Sequence, residues 1–162
     1  MTENSERKEA LESADFLKNL GVSVETGGHT EAFIGGSELI VTSPGVSKKS
    51  LPMITAKKLK IPVISEIELA SFFCVGTKVA VTGSNGKTTT SHLIHRMLRD
   101  ARKKSVLCGN VGNVFLDSVH EIDQHTVTVI ELSSFQLEDS PTFRPEIAVV
   151  LNVSPNHLDR HG

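Results

Sequence analysis

Lys78-Val79-Ala80-Val81-Thr82-Gly83-Ser84-Asn85-Gly86-Lys87-Thr88-Thr89-Thr90 is the stretch that decides how this chain is read. An apolar run ends in a glycine-rich turn, and an amphipathic segment from Ser91 to Arg102 follows. Strand, glycine turn and helix start are the context that a phosphate-binding loop requires. Glycines let the backbone approach a polyphosphate closely and take positive φ. Consecutive N–H groups and the positive end of the helix dipole then face the anion. On this reading Gly83, Ser84, Asn85, Gly86, Lys87, Thr88 and Thr89 form the nucleotide loop. Lys87 adds a mobile point charge for the β and γ oxygens, and Thr88 offers a hydroxyl to Mg²⁺. The general pattern G-x-x-x-x-G-K-[ST] asks for glycine at position 81, where this chain has Val81. Gly83 lies inside the loop instead, giving a tighter G-x-x-G-K-T-T. The plain alternative is a glycine turn with a chance lysine.

Working outward, Ser5 to Leu20 reads as a helix with Ala10, Leu11, Ala14, Leu17 and Leu20 in a stripe, stopped by Gly21. Val22 to Val24 is a short strand candidate, and Glu38 to Thr42 a stronger one ending in Ser43-Pro44-Gly45. Lys48 to Leu59 reads as helix, Ile61 to Ile64 as strand and Glu66 to Phe73 as helix. Gly76-Thr77 marks the expected boundary to a second unit. There Lys78 to Thr82 is a strand and Thr88 to Arg102 a helix, with Leu93, Ile94, Met97, Leu98 and Ala101 on one face. Ser105 to Leu107, Val127 to Ile130 and Ile147 to Leu151 complete the strands. Alternating helices and short apolar strands imply an α/β fold with a parallel sheet.

The chain has 162 residues and 38% hydrophobic content, enough for one ordinary domain or two small ones. A net charge of −2, with acids and bases interspersed, gives no field suited to nucleic acid. Without Trp or Tyr there is no base-stacking platform. No apolar run approaches the ~18 residues of a membrane span. The polar start Met1-Thr2-Glu3-Asn4-Ser5-Glu6-Arg7-Lys8 is no signal peptide. Cys74 and Cys108 are solitary, as expected of reduced thiols in a cytoplasmic protein.

Ligands of open α/β sheets sit beyond the carboxyl ends of the strands. Glu131 follows Thr126-Val127-Thr128-Val129-Ile130 at such a place. Its carboxylate can hold Mg²⁺ directly or through water, or it is an ordinary strand-end glutamate. In Leu132-Ser133-Ser134-Phe135-Gln136-Leu137-Glu138 the hydroxyls and the amide are either site groups or caps of the next helix. His157, after Ile147-Ala148-Val149-Val150-Leu151-Asn152, is a metal or substrate ligand candidate on the same edge. His157 and His161 have a zinc-like spacing, but no third ligand is evident. His92 and His95 are expected to face solvent or flank the core.

The glycine loop, including its lack of glycine at Val81, resembles that of the Mur ligases of peptidoglycan synthesis. Cys108-Gly109-Asn110-Val111-Gly112, Glu131-Leu132-Ser133-Ser134-Phe135-Gln136-Leu137-Glu138 and Asn152-Val153-Ser154-Pro155-Asn156-His157-Leu158-Asp159-Arg160 look like the family's D-glutamate-adding branch. Leu39-Ile40-Val41-Thr42-Ser43-Pro44-Gly45-Val46 is similar to the end of the family's UDP-binding domain. The resemblance implies a partial Rossmann-like, UDP-substrate-binding domain over residues 1–75. Residues 76–162 would then be the first part of a P-loop parallel-sheet ATPase domain.

The implied chemistry is ATP-dependent amide formation in the cytoplasm. ATP phosphorylates the terminal carboxylate of UDP-N-acetylmuramoyl-L-alanine, and the amine of D-glutamate attacks the acyl phosphate. Charge accumulates on the transferring phosphoryl group, so Lys87 and Mg²⁺ would do most of the stabilising. By motif position Lys87, Glu131 and His157 are the implied catalytic residues. Thr88 and Glu131 would serve Mg²⁺, and His157 a second Mg²⁺ or the muramoyl substrate. Asn110, Ser133 and Gln136 would line the UDP-sugar site, with Gly45 near the uridine diphosphate. The family acts as a monomer. It also has an opening strand and glycine turn, a carbamylated lysine and a third domain, which would lie outside Met1–Gly162. The chain is therefore expected to be a piece of the ligase that binds nucleotide weakly, if at all, and does not turn over. Competing readings are a sibling ligase, a folylpolyglutamate synthase or a non-catalytic nucleotide-binding chain; S-S-F-Q-L-E and C-G-N-V-G weigh against the first two.

Overall fold

The alternating pattern is realised as six strands and six α-helices in the computed structural model, which describes residues 3–155. The chain divides into two compact units. One is Met1–Glu38 with Ser47–Ile61, and the other Leu39–Val46 with Pro62–Gly162.

The first unit holds α1 (Glu3–Asn19), α2 (Glu31–Gly35) and α3 (Leu51–Leu59). Of the stripe expected on α1, only Ala14 is buried. Thr30 caps α2 by accepting the Phe33 N–H. Helix α3 carries Pro52 in its first turn and ends at Lys60 in the left-handed conformation (φ 59°). Val22 to Val24 is irregular rather than a strand. A three-residue apolar run needs a partner ladder, and among the described residues this unit contains no other strand.

The second unit contains two parallel sheets. Strands β1 (Ile40–Thr42) and β2 (Val63–Ser65) pair in register Ile40 to Val63. The larger sheet has the order β4-β5-β3-β6, from β3 (Thr77–Thr82), β4 (Ser105–Gly109), β5 (Val127–Glu131) and β6 (Ile147–Val150). All its neighbours are parallel, so every carboxyl end lies at one edge. Ala80, Ile130 and Cys108 are register partners and share one face. They form a buried cluster with Ile67 and Ala70 of α4 (Glu66–Phe73) and Cys74 at its end, with Phe115 of α6 (Phe115–Ser118), and with Ile122 and Leu132. A fully buried side chain the size of Ile130 or Phe115 contributes about 1.5–3 kcal/mol. The opposite face, with Val79, Val81 and Val129, is covered by α5 (Lys87–Asp100).

Two details of packing differ from the sequence pattern. The α5 stripe is split, because Leu93 and Met97 are 55% and 62% exposed while Ser91 is fully buried. The helix is rotated so that its small residue meets β5, which brings the helix start close to the strand end. Helix α4, read before the boundary at Gly76-Thr77, packs in the core of the second unit. Its first residue, Glu66, accepts the Leu116 N–H at 2.6 Å, and burial raises its carboxyl pKa. A raised acid pKa means that the folded chain holds the proton more tightly than the unfolded one. Stability therefore falls as pH rises just above the ordinary value of 4.5. Glu66→Gln keeps an acceptor for Leu116 and removes this titration. The melting advantage of the variant over the parent is expected to be larger at pH 7 than at pH 4, and parallel curves would contradict the assignment.

Among the described residues no helix is long and apolar enough to cross a membrane.

Candidate functional site

The glycine loop joins β3 to α5 at the carboxyl edge of the sheet, as the sequence predicts. Gly86 is the N-cap of α5 at φ 84°, and Lys87 opens the helix. The first N–H groups of a helix have no intrahelical acceptor and so present donors to an anion. Lys87 does not extend into solvent. Its ammonium donates to Gly83 O at 2.7 Å and Ser84 O at 3.1 Å. Thr88 and Thr89 are exposed in the first turn.

The segment after β6 braces this loop. Ser84 N–H donates to Asn152 O at 2.9 Å. Asn85 N–H donates to Asn152 Oδ1, and Asn152 Nδ2 donates to Asn85 O, both at 2.9 Å. Ser84 Oγ accepts the Ser154 N–H at 2.8 Å and donates to Ser154 O at 3.0 Å. A Cβ on residue 83 would stand 3.0 Å from Asn152 O, at φ 141°, so the close approach requires glycine.

Glu131 ends β5 and is 1% exposed. Its Oε1 accepts from Asn110 Nδ2 at 3.0 Å and its Oε2 from Ser91 Oγ at 3.4 Å. Ser91 Oγ also donates to Thr88 O at 3.1 Å, so one buried hydroxyl ties the Thr88 turn to the carboxylate. Asn110 N–H donates to Glu131 O at 2.9 Å. Asn110, Glu131 and the first turn of α5 thus form one connected group.

Ser133 and Gln136 follow directly and are mostly buried. They form a capping box in which Gln136 Oε1 accepts the Ser133 N–H at 2.9 Å. The capping alternative in the sequence is therefore realised for this pair. The loop beyond is tied to the β2–α4 junction. Ser65 N–H donates to Asp139 O at 2.7 Å, and the Ser65 and Ser140 hydroxyls share a 2.6 Å hydrogen bond. Glu68, fully buried, accepts from the Thr142 N–H and hydroxyl. Gly45 lies in the exposed turn after β1 at φ 96°, with open space around its α-carbon. His157 and His161 lie outside the described residues. His95 is half-buried, with its Nδ1 2.9 Å from Ser105 Oγ. Burial, followed by the Arg99 charge, lowers its pKa.

Three contributors have no role in the sequence reading: Ser91, Asn152 and Ser154. Ser91 stands four residues after Lys87, one helical turn on, and that spacing alone could have marked it. The bonds of Asn152 and Ser154 to the loop span about seventy residues and leave no local signal.

Together these observations define a parallel α/β protein whose glycine loop, helix start and strand-end carboxylate converge on one sheet edge. A family model described as the Mur ligase middle domain matches residues 81–162, half of the chain. The chain belongs to the Mur ligase family. It is 47% identical over 147 residues to a UDP-N-acetylmuramoylalanine--D-glutamate ligase of Koribacter versatilis, covering 91% of this chain and 32% of the relative. It is 41% identical over 161 residues to a ligase of the same name from Geotalea daltonii, covering 98% of this chain and 36% of that one. The chain spans about a third of the length of the curated relatives it matches. A solved structure of UDP-N-acetylmuramate:L-alanyl-gamma-D-glutamyl-meso-diaminopimelate ligase from Neisseria meningitides shares the fold. Its TM-score is 0.56 at 19% identity, over 92% of this chain and 52% of that structure.

Proposed function

We propose that this chain carries the nucleotide loop and part of the substrate side of an ATP-dependent ligase that adds D-glutamate to UDP-N-acetylmuramoyl-L-alanine. The observation that carries the reading is the connected group of Lys87, Thr88, Ser91, Glu131 and Asn110 at one strand edge. The names of the relatives favour D-glutamate as the amino acid. In this reading residues 1–75 belong to the UDP-substrate side and residues 76–162 to the ATP side.

The donor set fits a magnesium nucleotide. Mg²⁺ keeps several waters and takes one or two protein oxygens alongside substrate phosphates, and the Thr88 hydroxyl and the Glu131 carboxylate supply such oxygens. When bound, the ion would neutralise charge on the phosphoryl oxygens. The residues of this chain do the rest. The first-turn N–H groups of α5 hold phosphate, and the Lys87 ammonium moves from the loop carbonyls to the transferring group. Asn110 and Ser91 hold the Glu131 carboxylate in place. Asn110, Ser133 and Gln136 would face the sugar-peptide substrate, Gly45 would sit by its uridine diphosphate, and His157 would serve a second ion or the muramoyl substrate. Transfer of the γ-phosphoryl group, with ADP leaving, converts the terminal L-alanine carboxylate, a poor electrophile, into an acyl phosphate. The D-glutamate amine then displaces phosphate and forms the amide. The enzyme of this reading is a cytoplasmic monomer.

The test is a chimera in which residues 1–162 replace the matching stretch of the Koribacter versatilis relative. Phosphate release is expected to require ATP, D-glutamate and UDP-N-acetylmuramoyl-L-alanine together. Release with another amino acid in place of D-glutamate, or none while the chimera is folded, overturns the reading.

A further inference from the structure

We infer that Asn152 is a positioning residue that acts on Lys87 through two peptide planes of the glycine loop. The geometry assigns opposite sides of these planes to the two residues. In the Gly83–Ser84 peptide the N–H points to Asn152 O, while the C=O accepts from the Lys87 ammonium. In the Ser84–Asn85 peptide the N–H points to Asn152 Oδ1, while the C=O again accepts from Lys87. The Asn152 amide closes the arrangement by donating to Asn85 O. One residue thus fixes which way two successive carbonyls face, its main-chain carbonyl holding the first plane and its side-chain amide the second, and these are the carbonyls that hold the ammonium. A bidentate amide contact of this kind pins rotation about the loop axis, which a single hydrogen bond leaves free.

The arrangement also sorts the loop donors. Ser84 and Asn85 spend their N–H groups on Asn152. Any phosphate must then be held by donors from Gly86 onward, at the start of α5. Asn152 therefore separates a structural half of the loop, Gly83 to Asn85, from a binding half, Gly86 to Thr89. The consequence for catalysis rests on the nucleotide reading above; the effect on Lys87 does not.

The experiment measures the reactivity of Lys87 in the intact chain. Competitive acetylation, read lysine by lysine from peptide masses, is expected to find Lys87 slower than exposed Lys103. Asn152→Ala raises the Lys87 rate severalfold and leaves Lys103 unchanged. Asn152→Asp keeps the acceptor for Asn85 N–H and loses the donor, so its Lys87 rate is intermediate. Ser84→Ala removes the hydroxyl bonds to Ser154 and leaves the Asn152 contacts, so its Lys87 rate stays near the parent. An unchanged rate in Asn152→Ala, or an equal rise in Ser84→Ala, overturns the inference. In the parent, the Ser84 and Asn85 amides are expected to exchange with deuterium slowly, and exchange at the solvent rate also overturns it. The chimera described above separates the two claims. Absence of phosphate release from the folded chimera, with the acetylation pattern of the chain intact, removes the nucleotide reading and leaves the positioning role standing.

Discussion

Gly109→Ala is expected to lower the melting midpoint of the chain by about 6–12 °C. Gly109 ends β4 at φ 104°, a region that costs an L residue about 1–3 kcal/mol. The steric term adds to this. An alanine Cβ would overlap Glu131 O, with the Glu131 carbonyl carbon and N each only 3.2 Å away. Those atoms belong to the central sheet, where Gly109 is the register partner of Glu131. They cannot rotate aside as a flexible side chain would. A total near ~3 kcal/mol corresponds to this midpoint shift in a chain of this size. Thermal unfolding followed by circular dichroism measures it. Gly28→Ala, with open space around its α-carbon, is the control and is expected to shift the midpoint far less. Equal shifts in the two variants would show that contact with β5 is not what demands glycine.

The same position shows what a sequence can and cannot reveal. Glycine 109 is visible as part of a motif, but its reason is a strand twenty-two residues later. Local pattern sufficed for the strands around the loop, because β3 and β5 are buried in the middle of the sheet and carry the short apolar runs Val79-Ala80-Val81 and Val129-Ile130. It sufficed for α4 from Glu66 to Phe73, whose first residue is preceded by the cap Ser65. It failed at Val22 to Val24, where the run finds no ladder, and at α2 and α6, which are shorter than any periodicity can declare. It also misjudged α5. The stripe of Leu93, Ile94, Met97, Leu98 and Ala101 is a fair amphipathic face, yet the helix turns Ser91 toward the sheet. The sheet edge needs a hydroxyl beside Glu131 at that point, and packing overrides the local pattern. For the site the division is similar. Lys87, Thr88 and Glu131 occupy strand ends and helix starts that topology predicts. Asn152 reaches the loop only because β6 lies next to β3 in the sheet, an adjacency that chain order does not disclose.

Lys87→Ala is expected to remove nearly all of the stabilisation that Mg·ATP gives the chain. A nucleotide that binds only the folded state raises its stability by RT ln(1 + [L]/Kd), so the midpoint rise at fixed ligand reports affinity. The parent chain is expected to bind weakly, and millimolar Mg·ATP is the appropriate probe. Lys87 is half-buried and already parked over the loop on Gly83 O and Ser84 O. Moving from two carbonyls to phosphate oxygens exchanges neutral acceptors for charged ones, which adds ion-pair attraction to bonds that the ammonium already makes charge-assisted. Removing the ammonium also leaves both carbonyls without their donor. Loss of one preorganised donor at a developing or resident anion weakens its stabilisation by about 10²–10³-fold in comparable sites. Lys87→Arg is expected to bind poorly as well. A planar guanidinium cannot present three rotatable donors to two adjacent carbonyls, and its greater bulk must enter the same loop. Lys103→Ala lies beyond the end of α5 and is exposed, so the parent response should persist there. Should the Lys87→Ala midpoint rise as far with Mg·ATP as that of the parent, the loop does not hold the phosphates. The strand-end carboxylate Glu131 and its partners Asn110 and Ser91 would then need another explanation for their burial.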